Sequence, residues 1–153
     1  MTQAPNMFLE ALRRSLGDHA IDSSEKTSKR YGRNLLPGGD RRPVGVVYPS
    51  STAEVQTIVR LANEHRISLY AFSTGENRGL GLRSPILNGH VIVDVGARMN
   101  RILEIDETLC FAAIEPRGAY QQVYDELGPP RTQANDGSDF GTARRRHNRE
   151  HAR

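Results

Sequence analysis

Nine consecutive residues carry most of the chemistry this sequence could perform: Ser73-Thr74-Gly75-Glu76-Asn77-Arg78-Gly79-Leu80-Gly81. The glycines at 75, 79 and 81 let the backbone take conformations that other residues avoid. Successive amides can then point into one concavity and bind an anion. Ser73 and Thr74 add hydroxyl donors, and Asn77 adds an amide. Each hydrogen bond to a charged group contributes about 1.5–3 kcal/mol, so a few would hold a phosphate. Spacing alone leaves an ordinary strand-to-strand loop as an equal alternative. The glycine spacing does not fit the dinucleotide pattern G-x-G-x-x-G, and no helical pattern follows it. No lysine follows the last glycine, so the loop is not of the Walker type either.

The remaining reactive side chains read as structural. Cys110 lies in the apolar run Leu109-Cys110-Phe111, which predicts a buried, inert thiol. As the single cysteine it excludes an intrachain disulfide and a cysteine zinc cage. His65 ends a helical pattern, where an imidazolium suits the dipole. His90 precedes a strand with no obvious partner. His147 and His151 have the i, i+4 spacing of metal ligands, but in a basic, polar setting that makes the spacing incidental. Asp94 and Glu115 fall at strand ends and read as satisfied loop carboxylates. No residue is singled out as catalytic or as a metal ligand.

The elements that must position the loop follow from periodicity. Phe8, Leu12 and Leu16 repeat every four residues, predicting a helix over 6–16 with Asn6 as N-cap and Gly17 as its stop. Residues 18–42 read as an irregular connection, with a short helix around 22–30. Val44 to Tyr48 is a buried strand. Ser51 and Glu54 have capping-box spacing, opening a helix to about His65 with Val55, Ile58, Val59 and Ala62 on its apolar face. Ser68 to Phe72 is a second strand, which completes a βαβ unit with parallel strands. Val91 to Val95 is a third strand. Arg101–Ile105 and Leu109–Ile114 form an antiparallel hairpin across 106–108. A last helix covers 118–127, with Tyr120, Val123, Tyr124 and Leu127 as its core face and Gly128 as its end.

Charge separates the chain into unequal parts. The net charge of +3 lies wholly in residues 131–153, because residues 1–130 balance 15 basic against 15 acidic side chains. The body is therefore not a polyanion-binding surface on bulk charge. The tail holds Phe140 as its one large apolar side chain, and such a segment cannot offset the entropy of ordering. Disorder is expected there. No apolar run approaches the roughly 20 residues of a spanning helix, and Met1 to Asn6 lack a secretory pattern. A cytoplasmic protein without a membrane partner is the expectation.

Three blocks resemble the FAD-binding module of the vanillyl-alcohol oxidase and p-cresol methylhydroxylase family. The first is Pro49-Ser50-Ser51-Thr52-Ala53-Glu54-Val55-Gln56 with Ile58 to His65. The second is the loop 73–81. The third is Val93-Asp94-Val95-Gly96-Ala97-Arg98-Met99-Asn100-Arg101-Ile102-Leu103-Glu104-Ile105, leading to Glu115-Pro116. The resemblance is strongest to the branch that oxidises para-substituted phenols such as vanillyl alcohol, eugenol and cresol. It implies an α+β, PCMH-type FAD-binding subdomain: a small mixed sheet with a βαβ unit and a hairpin, flanked by helices. It implies FAD as cofactor, wrapped at its pyrophosphate by Ser73, Thr74, Gly75, Glu76, Asn77, Arg78, Gly79, Leu80 and Gly81, with Glu115 and Pro116 also at the cofactor. The domain division is 1–42 as an N-terminal helix and connection, 43–130 as a partial FAD-binding domain, and 131–153 as a tail outside the family pattern.

The sequence departs from that pattern at three positions. The family usually carries a basic residue where Glu76 stands and glycine where Leu82 and Arg117 stand, which predicts weaker FAD binding. Family members are also much longer and carry a substrate domain after the helix matching 118–127. The change of character near 128–131 leads to the expectation of a truncated or shifted reading frame. Turnover of a phenol would then require a complementing chain. Two alternatives are a non-enzymatic protein using Arg144–Arg146 on nucleic acid or an acidic partner, and an inactive remnant. No aromatic side chains interleave the arginines, which argues against nucleic acid.

Overall fold

The computed structural model describes residues 3–34, 37–75 and 83–128. Its first element, α1 (Gln3–Leu16), places Phe8, Leu9 and Leu12 in the core. The helix begins before Asn6, which sits inside it rather than capping it. Pro5 falls in the first turn, where its fixed φ suits a helix and its missing N–H costs nothing. Gly17 ends the helix at φ +85° and donates its N–H to the Arg13 carbonyl at 2.9 Å.

The segment 18–42 is more ordered than its composition suggests. A 3-10 turn (Asp18–Ala20) leads into a two-residue strand, β1 (Ile21–Asp22), and then α2 (Glu25–Gly32). The Ser24 side chain caps α2 by accepting from the Thr27 amide. Strand β1 pairs antiparallel with β2 (Gly45–Val47), so the N-terminal segment contributes an edge to the main sheet. Two residues are too few to show an alternating pattern, which is why the sequence does not announce this strand.

Helix α3 (Thr52–His65) starts at Ser51, whose Oγ accepts from the Glu54 amide. Only half of a capping box forms. The Glu54 carboxylate reaches one residue further back, to the Ser50 amide at 2.7 Å and the Ser50 hydroxyl at 2.9 Å. The buried face is Ile58, Leu61 and Ala62, while Val59 is 45% exposed. Positions 58, 61, 62 and 65 satisfy the same i, i+3, i+4, i+7 rule as the expected set. Packing against α1 selects between them, with the Phe8 ring edge-on to His65 at 6.1 Å.

Strands β3 (Leu69–Phe72) and β4 (Val91–Asp94) complete a four-stranded mixed sheet of order β1-β2-β4-β3. Strand β4 runs parallel to both neighbours, pairing Ile92 with Val46 on one side and with Tyr70 on the other. The βαβ unit of β2, α3 and β3 therefore spans a gap that β4 fills. Alternation sends successive side chains to opposite faces. Val47, Val91 and Val93 pack with Phe8, Leu12 and Ile58 under α1 and α3. Val46 and Ile92 pack with Tyr31 of α2 on the other face, flanked by Tyr48, Tyr70 and Phe72.

The hairpin forms its own two-stranded sheet, β5 (Ile102–Asp106) with β6 (Phe111–Ile114). Its turn is built on Asp106, whose Oδ1 accepts from the Thr108 and Leu109 amides. Cys110 closes the turn at φ +53° and is exposed, which overturns the expectation of a buried thiol. Its neighbours Leu109 and Phe111 are exposed as well, so the apolar run stays outside the core. Helix α4 (Tyr120–Leu127) ends at Gly128, which has φ +73°. Three residues of its expected core face, Tyr120, Tyr124 and Leu127, are exposed, Tyr120 at 97%, and Val123 is half-buried. The expected disordered tail lies outside the described residues. Among those residues no helix is long and apolar enough to cross a membrane.

The two readings of the α3 face make opposite demands on neighbouring positions. Ile58→Ala should cost about 2–5 kcal/mol, the usual range for emptying a buried site. Val59→Ala should stay within about 0.5 kcal/mol, as at a surface position. Urea unfolding of both variants checks this, and equal losses would place Val59 in the core.

Candidate functional site

The three parallel strands all run the same way, so their carboxyl ends open onto one edge. Ligands of open α/β sheets bind in the crevice outside such ends. Here that edge carries Tyr48–Ser51 after β2, Ser73–Gly75 after β3, and a 3-10 turn, Val95–Ala97, after β4. Of the expected loop, Ser73, Thr74 and Gly75 are described, and they lie at this edge. Glu76, Asn77, Arg78, Gly79, Leu80 and Gly81 lie outside the described residues, as does Leu82.

The loop is held from three directions. The Ser73 hydroxyl donates to the Pro116 carbonyl, tying β3 to the end of the hairpin. The Ser73 backbone presses on Gly96. A Cβ built there would stand 2.7 Å from the Ser73 carbonyl carbon, a distance that side chains cannot adopt. Arg83 donates from Nε to the Thr74 carbonyl at 3.1 Å. Gly75 takes φ +64°, a left-handed conformation that costs glycine little.

The turn after β4 is set by Asp94. Its Oδ1 accepts from the Ala97 amide at 3.0 Å, and its Oδ2 accepts from the Tyr31 hydroxyl at 2.9 Å. Burial, together with the Tyr48 and Asp94 side chains, raises the Tyr31 phenol far above its ordinary range. Tyr31 therefore stays a neutral donor. Its ring stacks on Phe72, the last residue of β3, with centroids 6.0 Å apart. One buried carboxylate thus joins α2, β3, β4 and the turn that receives Ser73. Sequence reasoning treated Asp94 as a satisfied strand-end carboxylate and did not pick out Tyr31. The only sequence signal for Tyr31 was a lone aromatic at the end of a polar helix.

Glu115 and Pro116, the last two expected site residues, lie at the end of the hairpin. Glu115 is buried and accepts from the Arg101 amide at 2.8 Å and from two guanidinium nitrogens of Arg101, at 2.7 and 3.1 Å. Those bonds hold its carboxyl below the usual range and raise Arg101. Its oxygens are spent inside the chain, so it shapes the turn that offers the Pro116 carbonyl to Ser73. The Arg117 amide continues that turn by donating to the Met99 carbonyl at 3.0 Å. Beside it, a cavity of about 590 Å3 opens between the first turn of α3 and the hairpin, lined by Ser51, Thr52, Val95, Met99, Arg101 and Pro116 among others. No cluster of metal-ligating side chains occurs among the described residues.

Residues 43–130 match the family described as FAD binding domain. The flavoprotein subunit of 4-cresol dehydrogenase (hydroxylating) from Pseudomonas putida is 32% identical over 124 residues, covering 80% of this chain and 24% of that protein. The 1'-carboxy-chondrochloren decarboxylase of Chondromyces crocatus is 36% identical over 122 residues, covering 80% and 22%. Among solved structures, 4-ethylphenol oxidase from Gulosibacter chungangensis superposes with a TM-score of 0.75 at 35% identity, over 83% of this chain and 25% of that one. A p-cresol methylhydroxylase with substrate bound gives 0.74 at 32% identity, with the same coverage. The fold is that of PCMH-type FAD-binding domains. The chain spans about a quarter of the length of these relatives.

The double acceptance by Asp94 is testable without a ligand. Asp94→Ala leaves the Ala97 amide and the Tyr31 hydroxyl without their acceptor and should cost about 1–3 kcal/mol. Asp94→Asn can still accept from Ala97 and can donate to the Tyr31 oxygen, so its loss should stay below about 1 kcal/mol. Chemical denaturation measures both. Equal losses would show that the charge at 94, and not its hydrogen-bond geometry, supports the turn.

Proposed function

We propose, because the chain belongs to the FAD-binding domain family, that it holds the pyrophosphate of FAD at the carboxyl edge of β2, β4 and β3. The loop Ser73–Gly81 wraps the phosphates in this reading. The observation that carries it is the convergence of three parallel strand ends on a glycine-bearing backbone. Gly75 sits at φ +64°, and Gly96, after the neighbouring strand β4, meets the Ser73 backbone where no side chain fits. A pyrophosphate suits such a site. It needs backbone donors at close approach and little side-chain bulk. Among the described residues, the Gly75 amide makes no backbone hydrogen bond.

Each residue then has a separate task. Gly75 and its successors supply backbone donors. Ser73, through its bond to the Pro116 carbonyl, anchors the loop to the hairpin, and Glu115 with Arg101 fixes that anchor. Asp94 and Tyr31 hold the turn that packs on the loop. When bound, FAD supplies a two-electron acceptor for hydride.

The substrate class belongs to the same proposal. Relatives named for 4-cresol and 4-ethylphenol support oxidation of a para-substituted phenol by an assembly that includes this domain. Such chemistry requires the substrate to be set against the flavin in a water-poor site. In this reading the described residues supply the cofactor's phosphate side. The proposed division keeps 43–130 as the cofactor-binding part and 1–42 as the segment that adds α1, α2 and an edge strand. The proposal includes a cytoplasmic setting, which suits one exposed thiol and no disulfide.

FAD titrated into the full chain, followed by flavin fluorescence, should bind at about micromolar Kd. A variant with Gly75, Gly79 and Gly81 all replaced by alanine should weaken binding at least about tenfold, the loss of roughly one charged hydrogen bond. A folded wild type that binds no FAD, or a variant that binds equally, would contradict the proposal.

A further inference from the structure

Arg83 follows the glycine loop and was not among the expected site residues. Its side chain crosses Gly75: a Cβ built on that glycine would lie 2.7 Å from Arg83 Nε and 3.0 Å from Arg83 Cδ. The same Nε donates to the Thr74 carbonyl at 3.1 Å. Glycine at 75 thus suits its φ of +64° and leaves room for this arginine to pass.

A trans peptide points its C=O and its N–H in opposite directions. No peptide bond among the described residues is cis. Fixing the Thr74 carbonyl toward Arg83 therefore turns the Gly75 N–H to the opposite side of the loop. That amide makes no backbone hydrogen bond among the described residues. A cationic donor on the carbonyl also polarises the peptide and strengthens its N–H as a donor. The charge counts in sequence as well. Glu76 and Arg78 cancel within 73–81, so Arg83 makes the segment 73–83 net positive.

We propose that Arg83 is a positioning residue for the cofactor's pyrophosphate: it clamps the Thr74 carbonyl so that the Gly75 amide faces the phosphates. The inference rests on the reading of the loop as an FAD pyrophosphate site and adds a residue that the loop pattern does not contain. Arg83 is exposed, so its loss should leave the fold intact. Lysine keeps a cationic donor at the position, whereas methionine keeps only the apolar stem.

The test titrates FAD, ADP and adenosine into the full-length wild type, Arg83→Lys and Arg83→Met. All three proteins should melt at the same temperature. Arg83→Met should weaken FAD and ADP roughly tenfold, the loss of one charged hydrogen bond, and leave adenosine unchanged. Arg83→Lys should recover most of that loss. Unchanged FAD and ADP binding in Arg83→Met would overturn the proposal. An equal loss for all three ligands, or a lowered melting temperature, would overturn it too by assigning Arg83 to general loop structure. A wild type that binds no FAD would instead overturn the underlying reading of the loop, and the role of Arg83 with it.

Discussion

Strand β4 pairs in parallel with β2 on one side and β3 on the other, and the site depends on that insertion. Parallel pairing forces the three chain directions to agree, so three loops must leave from the same edge. Side chains on both faces make the strand costly to displace. Val91 and Val93 pack under α1 and α3, and Ile92 packs with Tyr31 beneath α2. Removing β4 from the sheet would strip the core and scatter the site in one step. Burial of these apolar side chains drives the pairing, and the geometry of the edge follows from it.

Buried polar groups then refine what the core fixes coarsely. The Asp94 carboxylate takes one donor from α2 and one from the turn after its own strand. The Glu115 carboxylate is satisfied by Arg101 and stabilises the end of the hairpin. Both lie at strand ends next to the loop, and both are fully engaged inside the chain. Their hydrogen bonds hold backbone in place at the Val95–Ala97 turn and at the end of the hairpin. In the proposed site the groups that face the phosphates of a dinucleotide are amides, which carry the right sign of partial charge and need no side chain.

The sequence revealed helices and strands wherever periodicity ran for a turn or more. It placed α3, β4, the hairpin and the glycine stops at 17 and 128 close to where they lie. It failed where a choice depended on neighbours. Two faces of α3 satisfy the helical spacing, and only contact with α1 separates Leu61 from Val59. Strand β1 is two residues long and exists because β2 offers it an edge. Cys110 sits in an apolar run, yet the whole run, Leu109 to Phe111, is exposed beside the turn around Asp106. For the proposed site, local chemistry singles out the glycines at 75, 79 and 81, of which Gly75 lies among the described residues, at the strand edge. The contributions of Tyr31, Arg83 and Gly96 arise only from three-dimensional approach, and no spacing rule encodes them.

The central claim is that FAD lies along one edge of the parallel strands. Hydrogen–deuterium exchange of the full chain, with and without saturating FAD, addresses it directly. The account predicts slowed exchange in 48–51, 73–75 and 94–97, with the hairpin turn at 107–110 and helix α4 unchanged. Protection concentrated on the hairpin turn or α4, with the three strand ends unaffected, would contradict it.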